Sequence, residues 1–337
     1  MVPVVDKNQI PLMPCSEKRA RQMIASRKAT PFWKKGVFCV RLNVEPSARN
    51  LQKVIVGIDP GSKKEGFTVK SKAHTLLNIQ ADAITWVKKH VEQRRMMRKD
   101  RRRRKTPCRA CRRNRSRGGI PPSTKARWQW KLRIINWFSK MYPITDFVVE
   151  DIKVKSRGQR KWDLSFSPLQ TGKQWFYGEI KKLGALHLYS GWETKALRDK
   201  LGLKKSSSKM KEVFEAHCVD SWVLANDIIE GHLKPENVRL LCIVPLQFHR
   251  RQLHRMTFSK GGKRSLYGGT RSLGLKRGSL IRHPKYGLTY IGGATLRRLT
   301  LCSLENGVRV SRDIKKEDCQ FLTYSSYRTY ISEGIRN

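Results

Sequence analysis

Lys53–Asp59 reads KVIVGID and runs into the turn Pro60-Gly61-Ser62, and Ile144–Glu150 reads ITDFVVE. Both stretches are largely apolar and rich in β-branched residues, and both close on a carboxylate. Each is therefore expected as a buried strand with an acid at its end. Between them lies Arg94–Arg117, RRMMRKDRRRRKTPCRACRRNRSR, with twelve arginines, two lysines and one acid in 24 residues. A guanidinium fork matches phosphate oxygens, whereas lysine offers only a point charge, so this density favours a nucleic-acid backbone over a generic acidic partner. Carboxylates at strand ends suit magnesium held against that same backbone. The combination is expected of a chain that grips a polynucleotide and cleaves it.

The whole chain is charged in the same sense. It has 72 Lys+Arg against 26 Asp+Glu, a formal charge of +46 and a pI of about 10.6. Such a chain repels itself until a polyanion neutralises it, and its binding should weaken steeply with salt. A basic membrane-surface protein would need an amphipathic helix with one apolar face, but the Arg run is basic all round. An apolar fraction of 39% implies a modest core and much surface given to ligand. No apolar run of membrane-spanning length occurs and no secretory pattern opens the chain, so a cytosolic or nucleoid location without membrane association is expected. Of eight cysteines only Cys108 and Cys111 form a CxxC, and no second pair completes a four-thiolate zinc site. No GxxxxGK[ST] loop suggests nucleotide hydrolysis.

Residues 1–50 show little periodicity and read as an extended plug, Pro11-Leu12-Met13-Pro14, before a short basic helix over Glu17–Lys28. Strand signals follow at Lys53–Asp59, Glu65–Lys70 and His74–Gln80, a β-meander. A helical pattern from Ala81 runs through the Arg block until Pro107 stops it, and Gly118-Gly119 with Pro121-Pro122 makes a linker. Ser123 is expected to cap a helix to about Tyr142, with Trp128, Leu132, Ile135, Phe138 and Tyr142 on its apolar face. Phe147–Glu150 reads as a strand, Lys173–Leu183 as a helix, Ala185–Tyr189 as a strand, Lys211–Glu230 as one long helix with Gly231 after it, and Leu240–Val244 as a strand. Beyond Pro245 short β-like pieces and glycine pairs suggest a separate domain. The predicted class is a mixed α/β sheet layer with helical cover.

Phosphodiester cleavage requires an activated water, a stabilised leaving oxygen and neutralised phosphorane charge. Two Mg2+ ions about 4 Å apart provide all three and call for carboxylate ligands, with Mn2+ able to substitute. Asp59 is the candidate bridging ligand, with Glu150 and Asp220 on either side. His217 lies three residues before Asp220, hence on the same helical face, and is placed to deprotonate or orient the water. Each has a plainer reading: an acid closing a strand is often a turn residue, and a helical His-x-x-Asp pair is often a surface contact. Asp151 is an alternative ligand, but strand alternation turns it away from Glu150.

The segment VIVGIDPGS with Asp59 resembles the first motif of RuvC-type nucleases, FVVE with Glu150 the second, and EAHCVDSWVLA with His217 and Asp220 the third. The Arg-rich insert resembles the bridge helix of RNA-guided nucleases, and Pro11–Pro14 is similar to the element that names the PLMP domain of the IscB group. IscB proteins carry an HNH nuclease between the second and third motifs. Here only 67 positions separate Glu150 from His217, and residues 151–216 contain one histidine, His187, and no asparagine. The resemblance is therefore to the HNH-lacking IsrB branch.

That resemblance implies an RNase H-like (RuvC) mixed sheet with flanking helices. It divides the chain into a PLMP domain (1–50), a first RuvC segment (51–80), bridge helix and linker (81–120), second and third RuvC segments (121–245) and a β-rich domain reading a target-adjacent motif (246–337). It also implies an RNA-guided, transposon-encoded nickase, monomeric within a ribonucleoprotein. A large guide RNA would direct it to double-stranded DNA opened as an R-loop, and RuvC chemistry would cut the displaced strand. The arginines implied to follow RNA phosphates are Arg94, Arg95, Arg98, Arg101, Arg102 and Arg104. Basic pairs beyond Gln247, such as Arg250-Arg251, Lys260–Arg264, Lys276-Arg277 and Arg297-Arg298, read more plainly as phosphate contacts. Two other readings stand beside it. A RuvC-type junction resolvase would act as a dimer without RNA, and a non-catalytic RNA-binding scaffold would need no metal. TnpB-like nucleases carry a zinc ribbon that the lone CxxC does not supply.

Overall fold

The computed structural model describes residues 1–49, 51–104, 119–151, 168–208, 211–247, 271–294 and 297–332. Cys108, Cys111, all of the Arg block beyond Arg104, and the patches at 250–251 and 260–264 lie outside the described residues. Residues Met1–Cys242 with Ile331–Asn337 form one unit, and Ile243–Tyr330 a second.

The N-terminal stretch is richer in strands than the sequence suggests. Strands β1 (Val2–Val5), β2 (Pro11–Cys15), β3 (Ala29–Lys34) and β4 (Val37–Leu42) make a sheet ordered β2-β1-β4-β3, with α1 (Glu17–Ala25) inserted after β2. The proline-flanked run is β2 itself. It is an edge strand, where a proline's missing N–H costs no ladder bond. Ser16 caps α1 by accepting from the Arg19 amide at 3.3 Å. Val2, Val4, Leu12, Ala20, Ala29 and Val40 form this layer's core.

The main sheet is built from β5 (Val54–Asp59), β6 (Lys64–Ser71), β7 (Thr75–Asp82), β8 (Asp146–Asp151), β9 (Ala185–Ser190), β10 (Leu240–Pro245) and a last strand from the chain's end. β5, β6 and β7 are an antiparallel meander, while β8 runs parallel to β5 and β9 parallel to β8. Numbered within the motif, the order is 3-2-1-4-5, the ribonuclease-H arrangement. Helices α2 (Trp86–Arg103), α3 (Pro122–Phe138), α4 (Pro168–Lys181), α5 (Gly191–Lys200), α6 (Phe214–His217) and α7 (Val219–Ile229) occupy the connections. β5 is buried along nearly its whole length, which explains its unbroken apolar run. α7 packs on β5, β6 and β8 through Leu224, Ala225 and Ile229 against Ile55 and Val148. On the opposite face Phe138 of α3 meets Phe67 edge-on, with ring centroids 6.2 Å apart.

Two helices depart from the expected bounds. α3 starts at Pro122 behind an extended Pro121, so Ser123 lies inside the helix and caps nothing. Its buried face also takes in Trp130, Lys131, Ile134 and Trp137, because it covers the sheet and touches α4. The helix expected over 211–230 is broken at Cys218 into α6 and α7, and its C-terminal left-handed residue is Glu230 (φ 48°), not Gly231. Gly231 is needed for space: a Cβ there would lie 2.5 Å from Asn226 Oδ1 and 2.9 Å from Lys70 Cε.

Below the sheet Lys131 donates to fully buried Glu65 at 2.8 Å and sits 4.5 Å from the Trp128 ring centre. Lys131→Met would strand that carboxylate, so denaturant melts should show a loss of about 3–5 kcal/mol. The double variant Glu65→Leu/Lys131→Met should recover most of it.

In the second unit, β11 (Arg271–Ser272) and β12 (Leu275–Lys276) form a hairpin. β13 (Ser279–His283), β14 (Gly287–Ala294), β15 (Leu299–Ser303), β16 (Arg309–Ile314) and β17 (Gln320–Tyr324) make an antiparallel sheet ordered β16-β15-β14-β13-β17. Its core is Ile281, Ile291, Leu299, Leu301 and Ile314. The last strand, β18 (Tyr327–Ser332), joins β10 at the margin of the main sheet. Among the described residues no helix is long and apolar enough to cross a membrane.

Candidate metal centre

Asp59 ends β5 and Glu150 stands near the end of β8, its parallel neighbour, where Ile58 faces Val149. Alternation sends both carboxylates to the face that α7 covers. Asp220 is the second residue of α7. One oxygen from each of Asp59, Glu150 and Asp220 lies within 4.8 Å of the others. Asp151 turns to the opposite face, accepting from Lys173 Nζ at 2.6 Å and from the Tyr177 hydroxyl at 2.9 Å.

Two glycines allow this convergence. A Cβ on Gly57 would sit 1.7 Å from the Ser221 carbonyl oxygen, and one on Gly66 would sit 1.8 Å from that of His217. Gly66 is the register partner of Asp59. The α6–α7 junction therefore rests directly on strand backbone, and buried Thr68 and Ser221 hydroxyls 2.9 Å apart hold it there.

His217 lies just before the break at Cys218. It is buried, and its Nε2 donates to the Lys211 carbonyl at 3.1 Å, which leaves Nδ1 as the basic nitrogen. It is not one of the three residues whose ligand atoms converge. Burial first, then the Lys64 charge, lowers its pKa and keeps the ring neutral.

Two basic residues without a motif complete the site. Arg198 of α5 reaches Asp220 Oδ1 through Nη1 at 2.6 Å. Lys205, in the loop after α5, donates to Asp59 Oδ2 at 3.2 Å and to Asp220 Oδ2. The start of α5 abuts Glu150, for a Cβ on Gly191 would lie 2.9 Å from Glu150 Oε1. In sequence these residues are three among many basic and small ones; nothing local marks them.

Crowding sets the protonation. Burial, then the Asp59 charge and hydrogen bond, then Asp220, push Glu150 up to about 8. Burial lowers the Lys205 pKa, but Asp59 and Asp220 outweigh it and the net shift is upward. The donor set, three carboxyl groups on rigid elements, fits a hard divalent ion that would displace the Glu150 proton, and Lys205 already places a positive charge between Asp59 and Asp220. With a folded value of about 8 against an ordinary 4.5, the metal-free protein holds one extra proton at Glu150 between those limits. That contribution to stability is complete below the lower limit and disappears as pH rises through the upper one. Melting temperature of the metal-free protein should therefore fall from pH 5 to 8 more steeply than that of Glu150→Gln. Parallel profiles would refute this.

The strand order and the carboxylate cluster at the ends of its central strands define a ribonuclease-H-like chain with a candidate divalent-metal centre. Residues 2–163, a little under half the chain, match the RRXRR protein family. No curated protein sequence matches. Among solved structures, the chain is similar to T. thermophilus RuvC in complex with a Holliday junction substrate. That match has 15% identity over 52% of this chain and 90% of that one, with a TM-score of 0.27. It is also similar to the yeast mitochondrial Holliday junction resolvase Ydc2, with 13% identity over 54% and 80% and a TM-score of 0.28.

Proposed function

We propose that this chain is a Mg2+-dependent DNA endonuclease of the IsrB type, a nickase directed by a large guide RNA to the displaced strand of an R-loop. The observation that carries the reading is the convergence of Asp59, Glu150 and Asp220 within 4.8 Å, in a chain whose net charge is +46. Asp59, Glu150 and Asp220 would together hold the ions. Such ions, when bound, supply charge neutralisation and an acidified water. The chain's own part is to fix the carboxylates on two strands and a helix and to keep His217 neutral, with Nδ1 free to orient or take a proton from water. The match to the RRXRR family, which is found in IscB/IsrB-type proteins, spans the N-terminal layer, the first acidic strand, α2 and the second acidic strand.

α2 would be the bridge helix. Arg94, Arg95, Arg98, Arg102 and Arg104 are exposed, and Arg101 belongs to the same helix. The second unit would contact duplex beside the target. Base pairing would then supply discrimination while the protein reads backbone and a short flank. Purification from cells expressing the native locus, with sequencing of bound nucleic acid, should return one dominant structured RNA. Replacing Arg101–Arg104 with alanine should weaken RNA binding and flatten the salt dependence, by about 0.7–0.9 in log–log slope for each phosphate contact removed. Unchanged RNA retention across a salt titration would count against α2 as the RNA-gripping element.

A further inference from the structure

The carboxylate centre brings together three acids and two cations of the chain itself. Arg198 takes one oxygen of Asp220 and Lys205 the other, and Lys205 also reaches Asp59 at 3.2 Å. We propose that Lys205 is a built-in counter-cation that holds Asp59 and Asp220 together and must be displaced before a divalent ion can be held by the same oxygens.

Three features separate Lys205 from an ordinary structural ion pair. First, the two cations differ in freedom: the Lys205 side chain is 36% exposed, against 16% for Arg198 and 5% for Asp220. Arg198 is a fixed member of the packed α5–α7 layer, whereas the lysine stem can swing into solvent. Second, the backbone around Lys205 is tied down. The Ser206 amide donates to the Glu215 carbonyl at 2.9 Å, and the Ser208 amide to Ser206 Oγ at 3.2 Å. Displacement therefore requires a change of side-chain rotamers and no refolding of the loop. Third, Lys205 spans two carboxylates, one at the end of β5 and one at the start of α7. A divalent ion ligated by Asp59 and Asp220 would lie within a few ångströms of the ammonium, and two cations at that spacing repel strongly away from bulk water. The lysine thus holds the acids close while the site is metal-free, and raises the divalent-ion concentration at which it fills.

This inference rests on the carboxylates being a metal site. Its test is a Mn2+ titration of the full-length protein and of Lys205→Met, by calorimetry and by metal-induced rise in melting temperature. Lys204→Met, at the exposed neighbouring position, is the charge-matched control. Lys205→Met should bind Mn2+ about ten-fold more tightly than the parent. It should melt lower without metal and show the larger metal-induced rise. Lys204→Met should match the parent, and Lys205→Arg should retain the parent's weak affinity. The direction is diagnostic, because a residue that merely supports the loop would weaken metal binding when lost. Equal or weaker Mn2+ affinity in Lys205→Met, with clear binding by the parent, overturns the counter-cation while leaving the metal site standing. Absence of binding by both overturns the two together.

Discussion

Asp59→Asn should leave nucleic-acid binding intact and reduce Mg2+-dependent strand cleavage by about 10^3-fold or more, the scale of losing several kcal/mol of metal-assisted stabilisation. The amide keeps the shape of the side chain and removes its charge. Asp59 is the residue to change because it ends β5, a central strand of the main sheet, and it is the one that shares Lys205 with Asp220. The basic surfaces that would grip RNA and DNA lie elsewhere, on α2 and beyond, so gel-shift affinity should be unaffected. A variant that nicks a guided target as fast as its parent would remove Asp59 from the chemistry.

The second large effect concerns stability. Gly57→Ala should cost about 3 kcal/mol or more, or abolish folding, because its Cβ would lie 1.7 Å from the Ser221 carbonyl. Neither partner is a flexible side chain: one is the central strand and the other the first turn of α7. Relief would require lifting α7, and with it Asp220, from the sheet. Gly178→Ala in α4 is the matched control. Nothing lies within 4 Å of its would-be Cβ, and replacing a helical glycine should stabilise by about 0.5–1 kcal/mol. Chemical denaturation of both variants decides the matter; a Gly57→Ala protein as stable as its parent would mean that α7 does not rest on β5.

The central strands β5 and β8 were legible because they are buried on both faces and so read as continuous β-branched runs bounded by turns. KVIVGID and FVVE are of this kind, and their terminal acids stood out against apolar neighbours. The N-terminal sheet was not legible: β3 contains a proline and mixes charge with aromatics, and the two local hairpins β1–β2 and β3–β4 are joined only by the parallel pairing of β1 with β4, distant in the chain. The α6–α7 break was missed because the apolar spacing runs straight through Cys218. What interrupts it is contact of the His217 and Ser221 carbonyls with Gly66 and Gly57, which no helical period encodes.

The sequence by itself determined a strongly basic chain, a β-meander followed by helices and further strands, and three acids, two closing strands and one within a helix. These are local matters: alternation, turn chemistry and charge density are written in neighbouring residues. Tertiary structure alone decided how close those acids come, that Glu150 keeps a proton near neutral pH, and that Arg198 and Lys205 are the cations facing them. Those outcomes depend on how nearly a helix can approach a strand at two glycines and on what the intervening loop brings along. Burial then multiplies each charge–charge contact, so residues that look ordinary in the sequence come to govern the site.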